Sequence, residues 1–369
     1  MIVSCREIDE QIFKTFKKLD YQKYLTPRNF NEENAKFLEE YNSGFQYNPQ
    51  YSYLPFSSNK CATILEGLNT VIEESQLLSG KEIVLKNRLV ELQNEILMYS
   101  AIGQEFFSKK AIAVNGVPDL RNYNYAFEII NKDDTTIQTT PSYTPQYMKR
   151  VLEKRLKEYG FLWDIIISDK MVAKISVEPD LRKVFINSKL LFSPKDIVRL
   201  QVHEIDTHVL RAENGSHREF KVFTIGTSNS LIHEEGLAIY NEYINDVLDL
   251  NTLKLYAARF LCCVHIDKSF YELFDMLVKL GFSQEVAIYV VSRIKRGLRD
   301  TKQPGGFNKD YVYLQGFKEV ERAFVNLPSL RDKMYYGIIS LEDISLLYND
   351  IIHALDNHSI ILPLGCKQP

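Results

Sequence analysis

The stretch VHEIDTHVL, residues 202 to 210, constrains the fold of this chain more than any other segment. It places His203, Glu204 and His208 on one predicted helix, with the two histidines five residues apart. Helical metal sites usually space their histidines by four, because residues one turn apart share a face. At roughly 100° per residue, a regular α-helix would separate His203 and His208 by about 140°. If both rings serve one site, the helix must contain a π-type turn, and we predict that distortion.

Flanking residues place the histidines in the middle of this helix. Ser193 is a predicted N-cap, Pro194 suits the first helical position, and Asp196 is the capping acid. The pair Asn214 and Gly215 is the predicted stop. Apolar residues recur at helical spacing before, between and after the histidines, so the helix is packed on at least one side. Hydrogen bonds alone would be the ordinary use of histidines on such a half-buried helix.

Three short runs rich in Ile and Val precede the histidine helix: FLWDIIIS, MVAKISVEP and KVFINS. Their composition and the turns between them predict three antiparallel strands. Strands followed directly by a capped helix with an H-E pair are the layout of zinc peptidases, in which an edge strand can receive a peptide. The predicted fold class is α+β: a mostly helical, zincin-like metallopeptidase with a small antiparallel sheet covering the active-site helix.

The chain also divides into regions by pattern. Apolar residues up to about residue 112 recur at helical spacing, and most of the chain beyond residue 230 has helical character too. The polar run NKDDTTIQTTPSYTP, residues 131 to 145, is the predicted linker. We therefore predict a helical N-terminal region at residues 1–145 and a zinc metallopeptidase catalytic region at residues 146–369.

Composition excludes several classes of protein. A chain of 369 residues with 45% apolar residues can bury a large core. It has no run of about 20 apolar residues and no secretion signal, so we expect a cytoplasmic protein without a membrane partner. A net charge of −3 gives no reason to expect nucleic acid as a partner, and it leaves the oligomeric state open. The cysteines are too scattered for a disulfide framework or a cysteine zinc site: Cys5, Cys61, Cys262, Cys263 and Cys366.

A second helix offers a third ligand. Catalytic zinc bound by two histidines and one glutamate leaves its fourth position to water. The run HEEGLAIYNEY, residues 233 to 243, supplies adjacent acids, Glu234 and Glu235. Helical spacing puts Glu235 on the apolar face of this helix and Glu234 on a polar one. We therefore expect Glu235 to point inward.

Three motifs occur in order along the chain: HEIDTHVLRAENG, EEGLA and RGLRDTKQPGGFNKDYVYLQG. Together they resemble the tyrosine carboxypeptidase family, which includes the microtubule-associated enzymes that trim the terminal tyrosine of α-tubulin. The family signature is H-E-x-x-x-H with a downstream E-G-L-A, so the resemblance itself implies the five-residue spacing. Weaker similarity extends over most of the chain.

The resemblance implies roles for individual residues. It makes His203, His208 and Glu235 the ligands of a Zn²⁺ cofactor and Glu204 the general base. The chain departs from the family at Asp206, where the family typically has glycine.

A carboxypeptidase must also hold the free C-terminal carboxylate of its substrate, and the bidentate fork of arginine suits that task. The segment SRIKRGLRDTKQPGGFNKDYVY is basic and carries tyrosines. From it we expect Arg296 or Lys309 to bind the carboxylate and Tyr313 to stabilise the oxyanion. A solvated charged surface is the alternative for any one of these residues.

The leading hypothesis is a zinc metallocarboxypeptidase that removes a C-terminal residue, such as tyrosine or another aromatic, from a peptide or protein. Two alternatives stay open. One is a zinc endopeptidase or aminopeptidase. The other is a regulatory protein that has lost catalysis on the same scaffold, against which the intact H-E pair and the third acid argue.

Overall fold

The computed structural model of the chain describes residues 4–19, 21–56, 58–75, 78–133, 140–171 and 173–364. It is mostly helical with one small mixed sheet, which agrees with the predicted α+β class. The predicted linker at residues 131–145 lies partly outside the described residues, because residues 134–139 are not among them. None of the described helices combines the length and the apolar character needed to span a bilayer.

The chain forms two compact units, each assembled from separate segments. Unit one comprises Met1–Leu78, Lys86–Asp133 and Leu250–Gln315, and unit two comprises Ser79–Leu85, Asp134–Asp249 and Gly316–Pro369. One change of unit, at residue 134, lies near the expected boundary at residue 145. Residues 250–315 also belong to unit one, so the two units are not separated by one boundary along the chain.

Unit one is helical. In it, Phe37 is fully buried and meets the rings of Phe270 and Phe274 edge-on, at 4.7 and 4.8 Å between centroids. Its helices are α1 (Cys5–Lys17), α2 (Tyr21–Leu25), α3 (Phe30–Asn42), α4 (Ser58–Glu74), most of α5 (Ile83–Ser100), α6 (Phe107–Asn115), α7 (Tyr123–Ile130), α13 (Leu250–Val264), α14 (Phe270–Lys279) and α15 (Gln284–Ile294), with 3₁₀ turns at Leu120–Asn122 and Asn308–Tyr311.

Unit two contains the sheet and the histidine helix. Its elements are α8 (Pro145–Tyr159), β1 (Asp164–Ser168), β2 (Ile175–Glu178), β3 (Lys183–Asn187), α9 (Pro194–Leu200), a π-helix (Gln201–Val209), α10 (Leu210–Ser216), α11 (Val222–Ile225), α12 (Ser230–Ile244), most of α16 (Val312–Asn326), α17 (Leu330–Lys333), α18 (Asp343–Leu346) and α19 (Tyr348–Asp356), with 3₁₀ turns at Gly80–Glu82, Pro179–Leu181 and Met334–Tyr336. Both α8 and β2 pack against the π-helix.

The three predicted strands all form, but the prediction of an antiparallel sheet is wrong for one pair. The strand order is β1-β3-β2, with β3 in the centre. β2 and β3 pair antiparallel across the tight turn Pro179–Leu181, whereas β1 pairs parallel to β3, with Ile165 opposite Val184. Strands that follow each other in sequence need not be neighbours in the sheet, and the chain places β1 and β2 on opposite edges of β3.

Two glycines bring α12 and α16 into backbone contact. A Cβ atom on Gly236 would lie 2.3 Å from the carbonyl carbon of Gly316, and a Cβ on Gly316 would lie 2.0 Å from the carbonyl oxygen of Ile232. Neither position has space for a larger residue. Gly236 is the glycine of the E-G-L-A motif, so the motif specifies close helix packing as well as an acid.

We expect Gly236→Ala to lower the free energy of unfolding by about 1–3 kcal/mol, because the added methyl group forces the two backbones apart. Chemical denaturation monitored by circular dichroism measures this change. The matched control is Gly67→Ala in α4, where the nearest atom is 3.8 Å from the new Cβ. That substitution should stabilise the helix by about 0.5–1 kcal/mol. Equal effects of the two substitutions would contradict the packing argument.

Candidate active site

The histidine helix is continuous but changes its winding in the middle. Ser193 and Asp196 form the predicted capping box, α9 follows, and residues Gln201–Val209 then form a π-helix. The Leu210 amide donates to the carbonyl of Ile205, five residues back. The predicted departure from α geometry is therefore confirmed, and it extends over nine residues rather than a single turn.

The π-winding brings the two histidines together. Their ring centroids are 4.9 Å apart, and the rings are inclined by 75°. The Nε2 atoms of His203 and His208 lie 3.6 and 3.9 Å from the same oxygen of Glu235 on α12. Buried Glu204 adds a second carboxyl group, and the ligand-type atoms of His203, Glu204 and His208 all lie within 4.8 Å of one another. The side chains of His203, His208 and Glu235, which are the three expected ligands, therefore converge.

A further carboxylate orients each imidazole. His203 Nδ1 lies 2.7 Å from Glu242 Oε1, and His208 Nδ1 lies 2.7 Å from Glu234 Oε1. Because an ionised carboxylate only accepts, each Nδ1 donates its proton, which leaves each Nε2 as the atom that faces Glu235. Metal-binding histidines typically donate the proton of their second ring nitrogen to a carboxylate in this way.

The roles of these two orienting acids were not predicted from the sequence. Glu234 was expected on a polar face, yet it is 6% exposed and contacts His208. Glu242 was missed, although it follows Glu235 by seven residues, or two helical turns on the same face. That spacing is the signal that could have identified it.

Two arginines hold the orienting acids in place. Arg211 is fully buried and donates to the second oxygen of Glu234, and its other nitrogens donate to the carbonyls of Met334, Gly337 and Ile339. Arg199 donates to Glu242 at 3.0 Å. Both guanidinium groups are therefore fixed by the fold, and each acid is fixed with them.

The cluster carries an excess of negative charge. With all acids ionised, four carboxylates meet two guanidinium groups, which leaves two negative charges. Asp196 approaches Arg199 at 3.5 Å but has its own partner in Lys174 at 2.8 Å, so this pair does not change the balance. The second oxygen of Glu242 is buried without a hydrogen-bond partner in the described part of the chain.

The pKa values of both histidines respond to this charge. Burial disfavours protonation of His203, yet hydrogen bonds to Glu235 and Glu242 raise its pKa to about 10. Burial also opposes protonation of His208, and Glu234 raises its pKa nonetheless. Both directions indicate a site that attracts positive charge, whether a proton or a metal cation.

Asp206 anchors the π-helix to α8. Its carboxylate forms a bidentate ion pair with Arg155 of α8, at 2.8 and 2.9 Å, and accepts from the Tyr159 hydroxyl at 2.9 Å. Its side chain is 2% exposed. The segment between the two histidines is therefore fastened to α8 by a buried ion pair.

Buried polar groups also satisfy the π-helix backbone. The Thr207 hydroxyl donates to the carbonyl of Val202, and the Tyr335 hydroxyl donates to the carbonyl of Asp206. The Asn241 amide of α12 donates to both hydroxyls at 2.8 Å. These bonds join the two site-bearing helices to each other independently of the histidines.

The residues expected to bind the substrate carboxylate and the residue expected to stabilise the oxyanion all belong to unit one. Arg296 follows α15, donates to the carbonyl of Arg293 and lies over the ring of Phe307. Lys309 lies in the 3₁₀ turn Asn308–Tyr311 and is partly exposed. Tyr313 is the second residue of α16 and stacks on Tyr256 at 5.2 Å between centroids.

The fold and the site define an α+β protein in which an H-E-x-x-x-H helix faces an E-G-L-A helix. The chain belongs to the microtubule-associated tyrosine carboxypeptidase family, whose sequence model matches residues 35–355. Mouse microtubule-associated tyrosine carboxypeptidase 1 is 34% identical over 157 residues, which cover 39% of this chain and 32% of the mouse protein. The human protein of the same name is 32% identical over 154 residues, with 39% and 31% covered. The match therefore spans about a third of these relatives' length.

We expect Asp206→Ala to lower the free energy of unfolding by about 3–5 kcal/mol, because it leaves the guanidinium of Arg155 without its buried acid. The double variant Arg155→Met, Asp206→Ala should lose less than the sum of the two single variants. Urea denaturation of all three variants measures the coupling. Purely additive losses would mean that the ion pair does not support the π-helix.

Proposed function

We propose that this protein is a zinc-dependent carboxypeptidase that removes a C-terminal residue from a peptide or protein. The proposal rests on one observation above all: both Nε2 atoms of His203 and His208 face a single oxygen of Glu235, and a carboxylate holds each Nδ1. Family membership supports the same reaction, because the relatives bear the name tyrosine carboxypeptidase.

The residues present fit a zinc ion. Ligand atoms on a tetrahedral zinc with bonds of about 2.0–2.1 Å lie about 3.3 Å apart. The separations of 3.6 and 3.9 Å between Glu235 and the two histidines are close to this value. The two excess negative charges of the cluster also match a divalent cation. His203, His208 and Glu235 are therefore the proposed ligands.

When bound, zinc supplies a Lewis acid that polarises the scissile carbonyl and acidifies water. Glu204 is the proposed general base: it takes a proton from the attacking water and gives it to the leaving amine. Burial and the rigid helix hold its carboxylate beside the histidines. Glu234 and Glu242 keep the imidazoles in the required orientation and tautomer.

Substrate recognition completes the proposal. Arg296 or Lys309 binds the substrate carboxylate, and Tyr313 stabilises the developing oxyanion. The name of the relatives supports tyrosine as the leaving residue. An endopeptidase or an aminopeptidase on this scaffold would cleave peptides with free and with blocked C-termini alike, and a non-catalytic protein would cleave neither.

We expect the purified protein to bind one zinc ion per chain, and His208→Ala to lose it. Glu242→Gln should weaken zinc affinity by about 10–100-fold, because a neutral amide orients His203 less firmly. Elemental analysis and competition with a chelator measure both effects. The control is His217→Ala, since that ring is 61% exposed. Full zinc content in His208→Ala would disprove the proposed ligand set.

We also expect Glu204→Gln to abolish release of the C-terminal residue while zinc stays bound. Glutamine keeps the size of the side chain but cannot accept the proton, and loss of a general base costs a factor of about 10²–10⁴. The assay uses peptides that end in tyrosine, phenylalanine or alanine.

Each peptide is offered with a free and with an amidated C-terminus. A carboxypeptidase cleaves the free form and leaves the amide intact. Equal cleavage of both forms would indicate an endopeptidase or aminopeptidase, and full activity of Glu204→Gln would exclude that residue as the base.

A further inference from the structure

The last described residues of the chain, 359–364, form a strap that is neither helix nor strand. Side chains of unit two nevertheless hold its backbone. Arg218 donates to the carbonyl of Ser359 at 2.8 Å. Asn214, fully buried in α10, donates to the carbonyl of Ile361 at 2.8 Å and accepts from the amide of the same residue at 2.9 Å. The strap is therefore fixed by specific hydrogen bonds, as a buried backbone requires.

The far end of the strap contacts the two side chains that anchor the π-helix. The Leu364 amide donates to the Tyr159 hydroxyl at 2.9 Å, and the Leu364 carbonyl accepts from Arg155 at 2.7 Å. Both of these α8 side chains also donate to the carboxylate of Asp206. A chain of hydrogen bonds within unit two thus runs from the strap to the middle of the histidine helix.

The bonds in this chain depend on one another. The Tyr159 hydroxyl has a single proton, so a donor at its oxygen leaves that proton directed at Asp206. Nη2 of Arg155 is shared between Asp206 and the Leu364 carbonyl, which fixes the guanidinium plane. The side chains of Arg155 and Asp206 are only 13% and 2% exposed. The strap therefore restricts the position of Asp206, which lies between the two histidines in the sequence.

We propose that the strap positions the histidine pair for metal binding, and that Tyr159 and Arg155 transmit its effect through Asp206. This inference rests on the proposed zinc site and deepens it. It makes Tyr159 and Arg155 positioning residues, since neither is a proposed ligand.

Leu364→Pro in the full chain tests the strap, because proline removes the backbone N–H that Tyr159 accepts. The matched control is Leu364→Ala, which keeps that N–H and removes only a side chain that is 42% exposed. Partners that contact a metal ligand directly change metal affinity by about 10–100-fold. We expect a smaller loss of zinc affinity in Leu364→Pro, about three- to tenfold, and none in Leu364→Ala, measured by chelator competition.

Two further measurements separate positioning from a general loss of stability. Leu364→Pro should change the visible spectrum of the cobalt-substituted protein, which reports the geometry around the metal. In the metal-free protein it should speed amide exchange at residues 202–210 and leave α13 of unit one unchanged. Wild-type zinc affinity in Leu364→Pro, or an equal loss in Leu364→Ala, would overturn the proposal.

Tyr159→Phe tests the path of transmission. It should weaken zinc binding by itself, and the double variant Tyr159→Phe, Leu364→Pro should lose less than the sum of the two single variants, because the hydroxyl carries the bond from the strap. Additive losses of zinc affinity would exclude Tyr159 as the link and contradict the proposal.

Failure of this inference differs from failure of the proposed function. A wild-type protein that contains zinc, with unchanged affinity in Leu364→Pro, would reject the strap and keep the enzyme. A wild-type protein that binds no zinc, with faster amide exchange at residues 202–210 in Leu364→Pro, would reject the function and still show that the strap fastens the histidine helix.

Discussion

Two imidazoles five residues apart must meet at one point, and this requirement determines the structure around them. A regular α-helix would turn one ring away, so Gln201–Val209 are wound as a π-helix. Buried hydroxyls of Thr207 and Tyr335 donate to two carbonyls in or beside this winding, those of Val202 and Asp206. The ion pair between Asp206 and Arg155 fastens the opposite side to α8. The distortion is thus supported from both faces.

Carboxylates of α12 surround the two histidines. Helix α12 supplies Glu235 toward the shared Nε2 atoms and the orienting acids Glu234 and Glu242 toward the Nδ1 atoms. Each histidine therefore contacts carboxylates at both ring nitrogens, an arrangement that a buried imidazole pair with a purely structural role does not need. The close approach of α12 to α16 at Gly236 fixes the helix that carries all three acids.

Local features of the sequence predicted local structure well. The capping residues Ser193 and Asp196 predicted the helix start, and the five-residue spacing predicted the π-winding, because both depend on neighbours along the chain. The parallel pairing of β1 with β3 was not predictable in this way, since strand order depends on contacts distant in sequence. The burial of Glu234 was missed for a related reason: its partner Arg211 lies on another helix, and a helical wheel describes one helix at a time.

The winding of the histidine helix has a consequence for how related proteins are found. Pattern searches for paired helical histidines normally fix three intervening residues, in keeping with α geometry. A chain with one more residue in the gap escapes such a search, although folding restores the same spatial pairing. Families divided by spacing alone can therefore share one arrangement of side chains.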